Sequence, residues 1–262
     1  MAKSTFFYHL KGLSDPIKRL EEKAVIRHLF NLNKGRYGYR RITIEMRKQG
    51  YIINHKTVVK FLEELGLKCM VRMKKYRSFK GDIGKTAPNL LQRNFKTEQP
   101  KQKLATDITE FSLFGQKLYL SPIIDLFNGE IISYHTTDRP VFELVDTMLN
   151  RVLPLIPEGK GIILHSDQGW HYRMKQYRHK LEDNGILQSM SRKGNCLDNA
   201  VIENFFGILK TELLYLQKFE SMEHFKQELH DYIYYYNNHR IKSKLNGLSP
   251  VEFRKQFYLK SA

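Results

Sequence analysis

The alternation of strands and helices after Leu104 constrains the fold more than any other feature. Three β-rich runs, LATDITEF, KLYLSPIIDLF and GEIISYHTT, are joined by short turns that contain Gly115 and Gly129. A helix over about residues 141–153, the apolar run GIILHSD, a helix over about residues 172–184 and the run ILQSMS then alternate. Three strands followed by alternating helices and strands predict an α/β fold with a mixed sheet flanked by helices.

Residues 1–67 have a different pattern, which is helical. Helices are expected over about residues 15–33, 40–49 and 55–65, separated by glycine-containing turns. Pro16 suits a first helical position, and Asn54 is a candidate N-cap for the third helix. Short tandem helices that carry basic side chains are typical of a small all-α helix-turn-helix-like domain. The candidate DNA contacts there are Arg40, Arg41, Lys56 and Lys60.

The charge of the chain is unevenly distributed. The 262 residues carry a net charge of +17, and residues 1–103 contain 25 Lys and Arg against 8 Asp and Glu. Residues 104–262 contain 19 of each, so the whole excess lies in the first part of the chain. A charge run is often only a solvated face, but an excess of this size predicts that the N-terminal part binds nucleic acid.

A basic segment, residues 68–103, links the two parts. Aromatic residues are interleaved with its charges, a composition that suits contact with a phosphate backbone and exposed bases. We predict phosphate contacts for Lys74, Lys75 and Arg77. A plain flexible linker is the alternative, and the composition leaves both open.

The sequence argues against a membrane protein and a zinc protein. No apolar run approaches the roughly eighteen residues of a membrane span, and the N-terminus lacks the apolar region of a signal peptide. Cys69 and Cys196 stand far apart and form no CxxC pattern, as expected for a protein of the reducing cytoplasm.

Three acids in the second part are placed where they could meet. Asp107 lies inside the first strand run, Asp167 lies at the C-terminal end of the run GIILHSD, and Glu203 lies beside the apolar stripe of a helix with no basic residue one turn away. A charge in a core strand is costly unless it is paired or holds a cation. Carboxylates of this kind suit Mg²⁺ or Mn²⁺, and two such ions can drive phosphodiester chemistry. Spacing alone does not single out these three acids.

Other candidates have structural alternatives. Asn199 is either a helix-start residue or an active-site donor, and His165 suits a packed strand end better than a DNA or water contact. Trp170 and Tyr172 suit packing better than base stacking. Cap, edge or salt-bridge roles are expected for four further acids, Glu110, Asp125, Asp198 and Glu212. The tyrosines 232, 234, 235 and 236 are expected mostly in the core.

The motifs resemble one family over nearly the whole chain. The matching stretches, in order, are YGYRRI, KKYRSFKGDIGKTAPNLLQRNF, TDITEF, HSDQGWHY, SRKGNCLDNAVIENFFGILKTE and YYNNHRIKSKLNGLSPVEF. The chain resembles the DDE transposases of bacterial insertion sequences, specifically the orfB-type product of the insertion-sequence-three family. These resemble retroviral integrases and have an RNase H-like fold. The thirty-five residues between Asp167 and Glu203, and Lys210 seven residues after Glu203, match that family's signature.

The resemblance implies site residues and a reaction. Asp107, Asp167 and Glu203 would be the catalytic ligands of two Mg²⁺ or Mn²⁺ ions, and Lys210 would contact DNA near the scissile phosphate. The family often has Trp where this chain has Leu104, an apolar exchange. Further DNA contacts are predicted at Asn199, Arg240 and Lys242, although a solvated loop is the alternative for the last two. The domains would be a DNA-binding domain over residues 1–67, the linker over 68–103, and a catalytic core with a helical tail over 104–262.

The implied function is cleavage at the ends of an insertion sequence and strand transfer into DNA, through a circular intermediate. The DNA partners would be the terminal inverted repeats and the target duplex, bound by a homo-oligomer at the bacterial nucleoid. Many such proteins act as a frameshift fusion with, or beside, an upstream orfA-type product that carries a leucine zipper. The alternatives are an RNase H-like nuclease without strand transfer and a non-catalytic DNA-binding repressor.

Overall fold

The computed structural model describes Lys3 and residues 16–69, 86–156, 161–192 and 196–261. Three predicted DNA contacts, Lys74, Lys75 and Arg77, lie outside these residues. The described residues form two compact units. One contains the residues up to 69 together with Lys242–Gly247, and the other contains the rest. The predicted boundaries at 67 and 103 stay predictions.

The first unit is built from three helices, as its sequence predicts. They are α1 (Pro16–Leu32), α2 (Tyr39–Lys48) and α3 (His55–Glu64). The side chain of Asn54 caps α3 by accepting a hydrogen bond from the backbone N–H of Lys56 at 2.9 Å. The core of this unit is apolar and comes from all three helices, with Ile26, Ile42, Met46, Val58 and Phe61 buried.

The segment Lys242–Gly247, from much later in the sequence, also belongs to the first unit. Gly247 has a φ of +77°, which favours glycine, and a Cβ placed on it would lie 2.6 Å from Cγ2 of Ile44 in α2. Glycine is therefore needed at this position for two reasons, the backbone angle and the close approach of α2.

The second unit is a six-stranded mixed sheet flanked by helices, which confirms the predicted fold class. Its strands are β1 (Lys103–Thr106), β2 (Thr109–Leu113), β3 (Gln116–Asp125), β4 (Ile131–Thr137), β5 (Ile162–Ser166) and β6 (Ile186–Met190). β1 and β2 pair end to end with one side of β3, and β4 pairs with its other side. Beyond β1 the sheet continues with β5 and then β6. β1, β5 and β6 are parallel to one another, whereas β1, β2 and β4 run antiparallel to β3.

Helices cover both faces of this sheet. They are α4 (Phe142–Val152), α5 (Trp170–Arg173), α6 (Lys175–Asp183), α7 (Ala200–Leu209), α8 (Met222–Asn238) and α9 (Pro250–Ser261). Successive residues of a strand point to opposite faces. Ala105 accordingly packs with side chains of α7 and α8, whereas its neighbour Leu104 packs with side chains of α4 and α6.

Three local features differ from the sequence-based expectation. The helix expected over residues 172–184 is two helices, because Met174 has an extended backbone (ψ 140°) between them. The run LATDITEF is interrupted at Asp107 and Ile108, between β1 and β2. The helix after Asn199 continues beyond Leu209 as a π-helical segment, Lys210–Leu214. Within the part of the chain that the structure describes, no helix has the length and apolarity to cross a membrane.

Candidate active site

Asp107 and Asp167 occupy equivalent places on neighbouring parallel strands. In the β1–β5 pair, Leu104 lies beside Leu164 and Ala105 beside His165. The same offset of sixty positions, continued two residues further, puts Asp107 beside Asp167. The two acids are therefore separated in the sequence by the same sixty positions that separate paired residues of β1 and β5. Both acids follow the carboxyl ends of their strands, where sites of open α/β sheets gather.

The Asp107 side chain is held by its own peptide. The backbone N–H of Ile108 donates to Oδ1 of Asp107 at 2.7 Å. Asp107 is partly exposed, and no side chain of the described residues donates to its other oxygen.

The Asp167 side chain is held in a similar way by a glycine. The backbone N–H of Gly169 donates to Oδ1 of Asp167 at 2.8 Å. A Cβ on Gly169 would lie 2.9 Å from the same oxygen, closer than real Cβ contacts come. The carboxylate therefore occupies the space that a side chain at position 169 would need.

Glu203 comes from the helical side of the site. It lies in the first turn of α7, whose residues Ile202, Phe205, Phe206 and Leu209 are buried in the core. Because its neighbours fix the apolar side of the helix, Glu203 is left partly exposed beside them. No ion pair to Glu203 occurs within the described ranges, as the absence of a basic residue one turn away suggested.

The three carboxylates affect one another electrostatically. Burial and the nearby Asp167 raise the pKa of Asp107 well above its usual value. Burial also raises the pKa of Asp167, against the hydrogen bond from Gly169. The pKa of Glu203 is raised by burial and by Asp167. A cation bound between such acids would stabilise their ionised forms.

The donor set fits a hard cation. Three carboxylates offer only oxygen ligands, and each aspartate keeps an oxygen that its backbone bond does not use. Among the residues that the structure describes, no three Asp, Glu, His or Cys side chains stand close enough together to enclose an ion. The chemistry of the ligands thus suits Mg²⁺ or Mn²⁺, and their side chains would have to draw closer around it.

Lys210 lies beside the acids. Its Nζ is 5.7 Å from the centre of the Phe111 ring. Burial lowers the pKa of Lys210, whereas Glu110 and Asp107 raise it. A cation in this position, partly buried and close to Asp107, can meet a phosphate that approaches the carboxylates.

Asn199 precedes α7 and has an unusual environment. The residue is 4% exposed, and neither polar atom of its side chain has a hydrogen-bond partner within the described ranges. It makes no side-chain cap to α7. The helix-start alternative thus has no capping bond to support it, and the active-site donor stays a prediction.

His165 is a packed residue at the end of β5. Its Nδ1 lies 2.8 Å from Oγ of Ser189, and the residue is fully buried. Burial lowers its pKa to about 4, against the effect of Asp198, so the ring is neutral at pH 7. Tyr172 is buried as well, whereas Trp170 is 48% exposed and stacks on His171.

The four competing acids have other partners. Asp198 is bound by Arg192 and Arg93, and Glu110 pairs with Lys117 at 3.1 Å. Asp125 accepts hydrogen bonds from the backbone N–H groups of Lys101 and Phe127, and burial raises its pKa to about 6. Glu212 accepts from the side chains of Arg240 and Tyr232. Each of these four acids is therefore already bound by hydrogen bonds or an ion pair.

Arg240, a predicted DNA contact, has a buried side chain with a partner of its own, and its role towards DNA stays a prediction. Its guanidinium is buried and donates two hydrogen bonds to Glu212, from Nε at 2.8 Å and from Nη2 at 2.7 Å. A buried side chain that is paired in this way has its Nε and one Nη2 donor already engaged by Glu212. Lys242 is partly exposed and belongs to the helical unit. Of the tyrosines expected in the core, Tyr232 and Tyr236 are buried, whereas Tyr234 is 60% exposed.

The basic residues of the helical unit divide into two groups. Arg40, Lys56 and Lys60 have exposed side chains. Arg41 is partly buried, lies over the Tyr37 ring and donates to the Arg36 carbonyl. Arg40 on α2 and Lys56 and Lys60 on α3 are therefore more accessible to a ligand than Arg41.

Two residues of the site carried no signal in the sequence pattern. Gly169 looks like an ordinary turn glycine until Asp167 is placed against it. Pro122, in β3, lies opposite Asp107, and only the strand register reveals this. Both depend on contacts between separate segments, which periodicity does not report.

The chain is similar to known protein families along most of its length. Residues 97–196 and 203–258 match models of the integrase core domain, and residues 18–76 match a model of an HTH-like domain. The chain is 51% identical to the transposase InsK for insertion sequence element IS150 of Escherichia coli K12, over 98% of this chain and 91% of that protein. It is 36% identical to the transposase for insertion sequence element IS904 of Lactococcus lactis, over 92% of this chain and 97% of that protein.

A solved structure was also matched. The catalytic core domain of HTLV-2 integrase in complex with magnesium aligns with 61% of this chain and 99% of its own length. The sequence identity is 16% and the TM-score 0.48.

An integrase core combined with an HTH-like domain defines a class of DNA-recombining enzymes. The chain belongs to the DDE transposases of insertion sequences, in the IS3 family. It is accordingly a DNA-cleaving and strand-transferring enzyme. The matched HTH-like domain also indicates DNA binding.

Proposed function

We propose that Asp107, Asp167 and Glu203 are the catalytic metal ligands of this transposase. In this proposal they serve cleavage at the terminal inverted repeats of an insertion sequence and strand transfer into target DNA. The observation that carries it is the parallel register of β1 and β5, which brings Asp107 beside Asp167 at one edge of the sheet. The raised pKa values of all three acids support a common site.

The chain orients these ligands before an ion binds. Backbone N–H groups of Ile108 and Gly169 each hold one oxygen of an aspartate, so each carboxylate is fixed in direction. Two Mg²⁺ or Mn²⁺ ions, when bound, would activate the attacking oxygen and stabilise the leaving oxygen of a phosphodiester. Lys210, near Asp107, would hold the phosphate at the same place.

The reaction consists of two exchanges at phosphorus. In the first, the oxygen of water bonds to the phosphorus at the element end, the bond to the 3′ oxygen breaks, and a 3′-hydroxyl is released. In the second, that hydroxyl attacks another phosphodiester and displaces its 3′ oxygen, so the number of ester bonds is conserved. No step needs a covalent bond between protein and DNA, and thus no Ser or Tyr nucleophile.

DNA is held mainly by the N-terminal part. Residues 1–67 form the DNA-binding domain in this proposal, residues 68–103 the basic linker, and residues 104–262 the catalytic core. Exposed Arg40, Lys56 and Lys60 suit phosphate contacts. The protein would act as a homo-oligomer that joins both element ends at the nucleoid, fused to or assisted by an orfA-type product.

Substitution of the three acids tests the proposal. Asp107→Asn, Asp167→Asn and Glu203→Gln should each abolish cleavage and strand transfer on inverted-repeat DNA, while DNA affinity stays close to that of the parent protein. The loss of a metal ligand should cost several kcal/mol of transition-state stabilisation, or at least about a hundredfold in rate. Asp231→Asn, an exposed acid on α8, is the matched control and should remain active.

The products separate the alternatives. A nuclease would cut the DNA but leave every 3′-hydroxyl unjoined, and a repressor would bind without cutting in Mg²⁺ or Mn²⁺. Activity above about a hundredth of the parent rate in any of the three variants would remove that residue from the proposed site.

A further inference from the structure

β3 contains a proline in an unusual position. Pro122 is buried in the middle of the strand and lies between two neighbours, with Tyr134 of β4 opposite it on one side. Proline has no backbone N–H and is mostly confined to edge strands, strand starts and bulges. A proline between two paired strands therefore removes one hydrogen bond of the sheet at a defined place.

The hydrogen bonds around Pro122 show which neighbour loses that bond. The N–H of Asp125 donates to Glu130 on the β4 side, whereas the N–H of Leu126 donates to Lys103 on the β1 side. Backbone groups of successive strand residues point to opposite sides. Even-numbered positions of β3 thus face β1 and β2, and the missing donor of Pro122 is missing on that side.

The residue opposite Pro122 on that side is Asp107. Thr106 pairs with Ile123, and Thr109 pairs with Leu120. β1 and β2 are consequently one strand in constant register, interrupted at Asp107 and Ile108. In that register Asp107 faces Pro122, so β3 has no N–H to offer the Asp107 carbonyl.

The interruption and the carboxylate geometry involve the same peptide group. The carbonyl of Asp107 and the N–H of Ile108 lie in one plane, because the peptide bond is planar. That N–H is the donor that holds Oδ1 of Asp107 at 2.7 Å. A donor at position 122 would pull the carbonyl towards β3 and turn the N–H away from the carboxylate.

We propose that Pro122 is a positioning residue for Asp107: its missing N–H leaves the Asp107–Ile108 peptide able to turn its own N–H onto the Asp107 carboxylate. This inference rests on the proposed role of Asp107 as a metal ligand. It attributes the orientation of the Asp107 side chain to the absence of a backbone N–H at Pro122 in β3.

A role in packing alone predicts the opposite changes. If Pro122 only filled space, its substitution would lower stability and leave metal binding unchanged. If it positions Asp107, a residue with an N–H restores a hydrogen bond between β3 and the β1–β2 strand. Stability should then stay equal or rise, while the metal site weakens.

The experiment uses the full chain with Pro122→Ala and Pro122→Val, since valine is close to proline in size and favours strands. Pro154→Ala, an exposed proline after α4, is the matched control. Three quantities are measured: Mn²⁺ binding by the electron paramagnetic resonance signal of the unbound ion, the cleavage rate of prebound DNA, and the midpoint of thermal unfolding.

We expect both Pro122 variants to bind Mn²⁺ and cleave about tenfold less well, since small displacements of a catalytic group cost one to two orders of magnitude. DNA affinity and the unfolding midpoint should not fall. Parent-like Mn²⁺ affinity and rate in a folded variant, or loss of the fold in both variants, would overturn the inference. An active Asp107→Asn protein would instead overturn the proposed function itself.

Discussion

The backbone N–H of Gly169 donates to Oδ1 of Asp167 at 2.8 Å, and a Cβ on Gly169 would lie 2.9 Å from that same oxygen. The backbone of Gly169, with φ −55° and ψ 144°, is open to any residue. Glycine is therefore required here by the neighbouring carboxylate and not by its own conformation.

Gly169→Ala should leave the fold intact and move Asp167 out of place, so cleavage should fall at least about tenfold because catalytic geometry tolerates little displacement. The measurement is the rate of cleavage of prebound inverted-repeat DNA. Gly207→Ala is the matched control. Gly207 lies in α7 with open space at its Cβ position. That change should raise the free energy of unfolding by roughly 0.5–1 kcal/mol and preserve the rate. An unaffected Gly169→Ala enzyme would count against Asp167 as a ligand.

Lys210 and Lys56 should affect different steps. Replacement of either by alanine removes at most about one phosphate contact, so each should reduce the salt dependence of log affinity by no more than about one unit. Lys210→Ala should additionally slow cleavage of bound DNA, because Lys210 lies near Asp107. Salt titrations and single-turnover cleavage check both effects. Lys218→Ala, at an exposed lysine beyond the π-helical segment, serves as control. If Lys56→Ala slowed cleavage of bound DNA as much as Lys210→Ala, the separate role of Lys210 in cleavage would be contradicted.

Arg240→Ala should destabilise the protein without altering DNA binding. Its removal leaves Glu212 buried and without the bidentate partner, and breaking a buried ion pair costs roughly 3–5 kcal/mol. Denaturant unfolding measures the loss, and a salt titration of DNA affinity should give the parent slope. A lower slope with unchanged stability would instead identify Arg240 as a DNA contact.

Low pH should reduce the free energy of unfolding, partly because Asp198 becomes protonated. Hydrogen bonds from the Arg192 side chain hold the pKa of Asp198 below its usual value, against the effect of burial. A carboxyl group with a lowered pKa contributes stability above its unfolded pKa of about 3.9, and this contribution is lost as the pH falls towards the folded value.

Asp198→Asn tests this contribution through stability measured against pH. The variant should be less stable at pH 7 by about 1–3 kcal/mol, the usual value of hydrogen bonds to a charged group. Its stability should also decline less steeply between pH 5 and pH 3. Parallel curves for the variant and the parent would show that Asp198 is not the titrating group. Asp183→Asn, at an exposed acid, controls for the change in net charge.

Local patterns predicted the elements of this protein well. The periodicity identified α1 to α3 and the strands within a few residues, since helices and strands follow from the spacing of apolar side chains. Asp167 and Glu203 could be proposed as site residues because a strand end and a helix edge are visible in the sequence.

The remaining features depend on pairings between distant segments. The break at Asp107 follows from Pro122 lying opposite it, which requires the register of β3. Arg240 reads as part of a basic loop, and only the folded chain brings it against Glu212. The return of Lys242–Gly247 to the helical unit has no local signature either.

That return has a consequence for the order in which the chain is synthesised. A ribosome delivers α1, α2 and α3 first, but the segment whose Gly247 lies against Ile44 emerges after all six strands of the sheet. Domains usually fold in the order of their synthesis. Here the first unit to begin folding acquires its full set of contacts only after all six strands of the sheet have been made, so a truncated translation product that stops before residue 242 lacks part of both units.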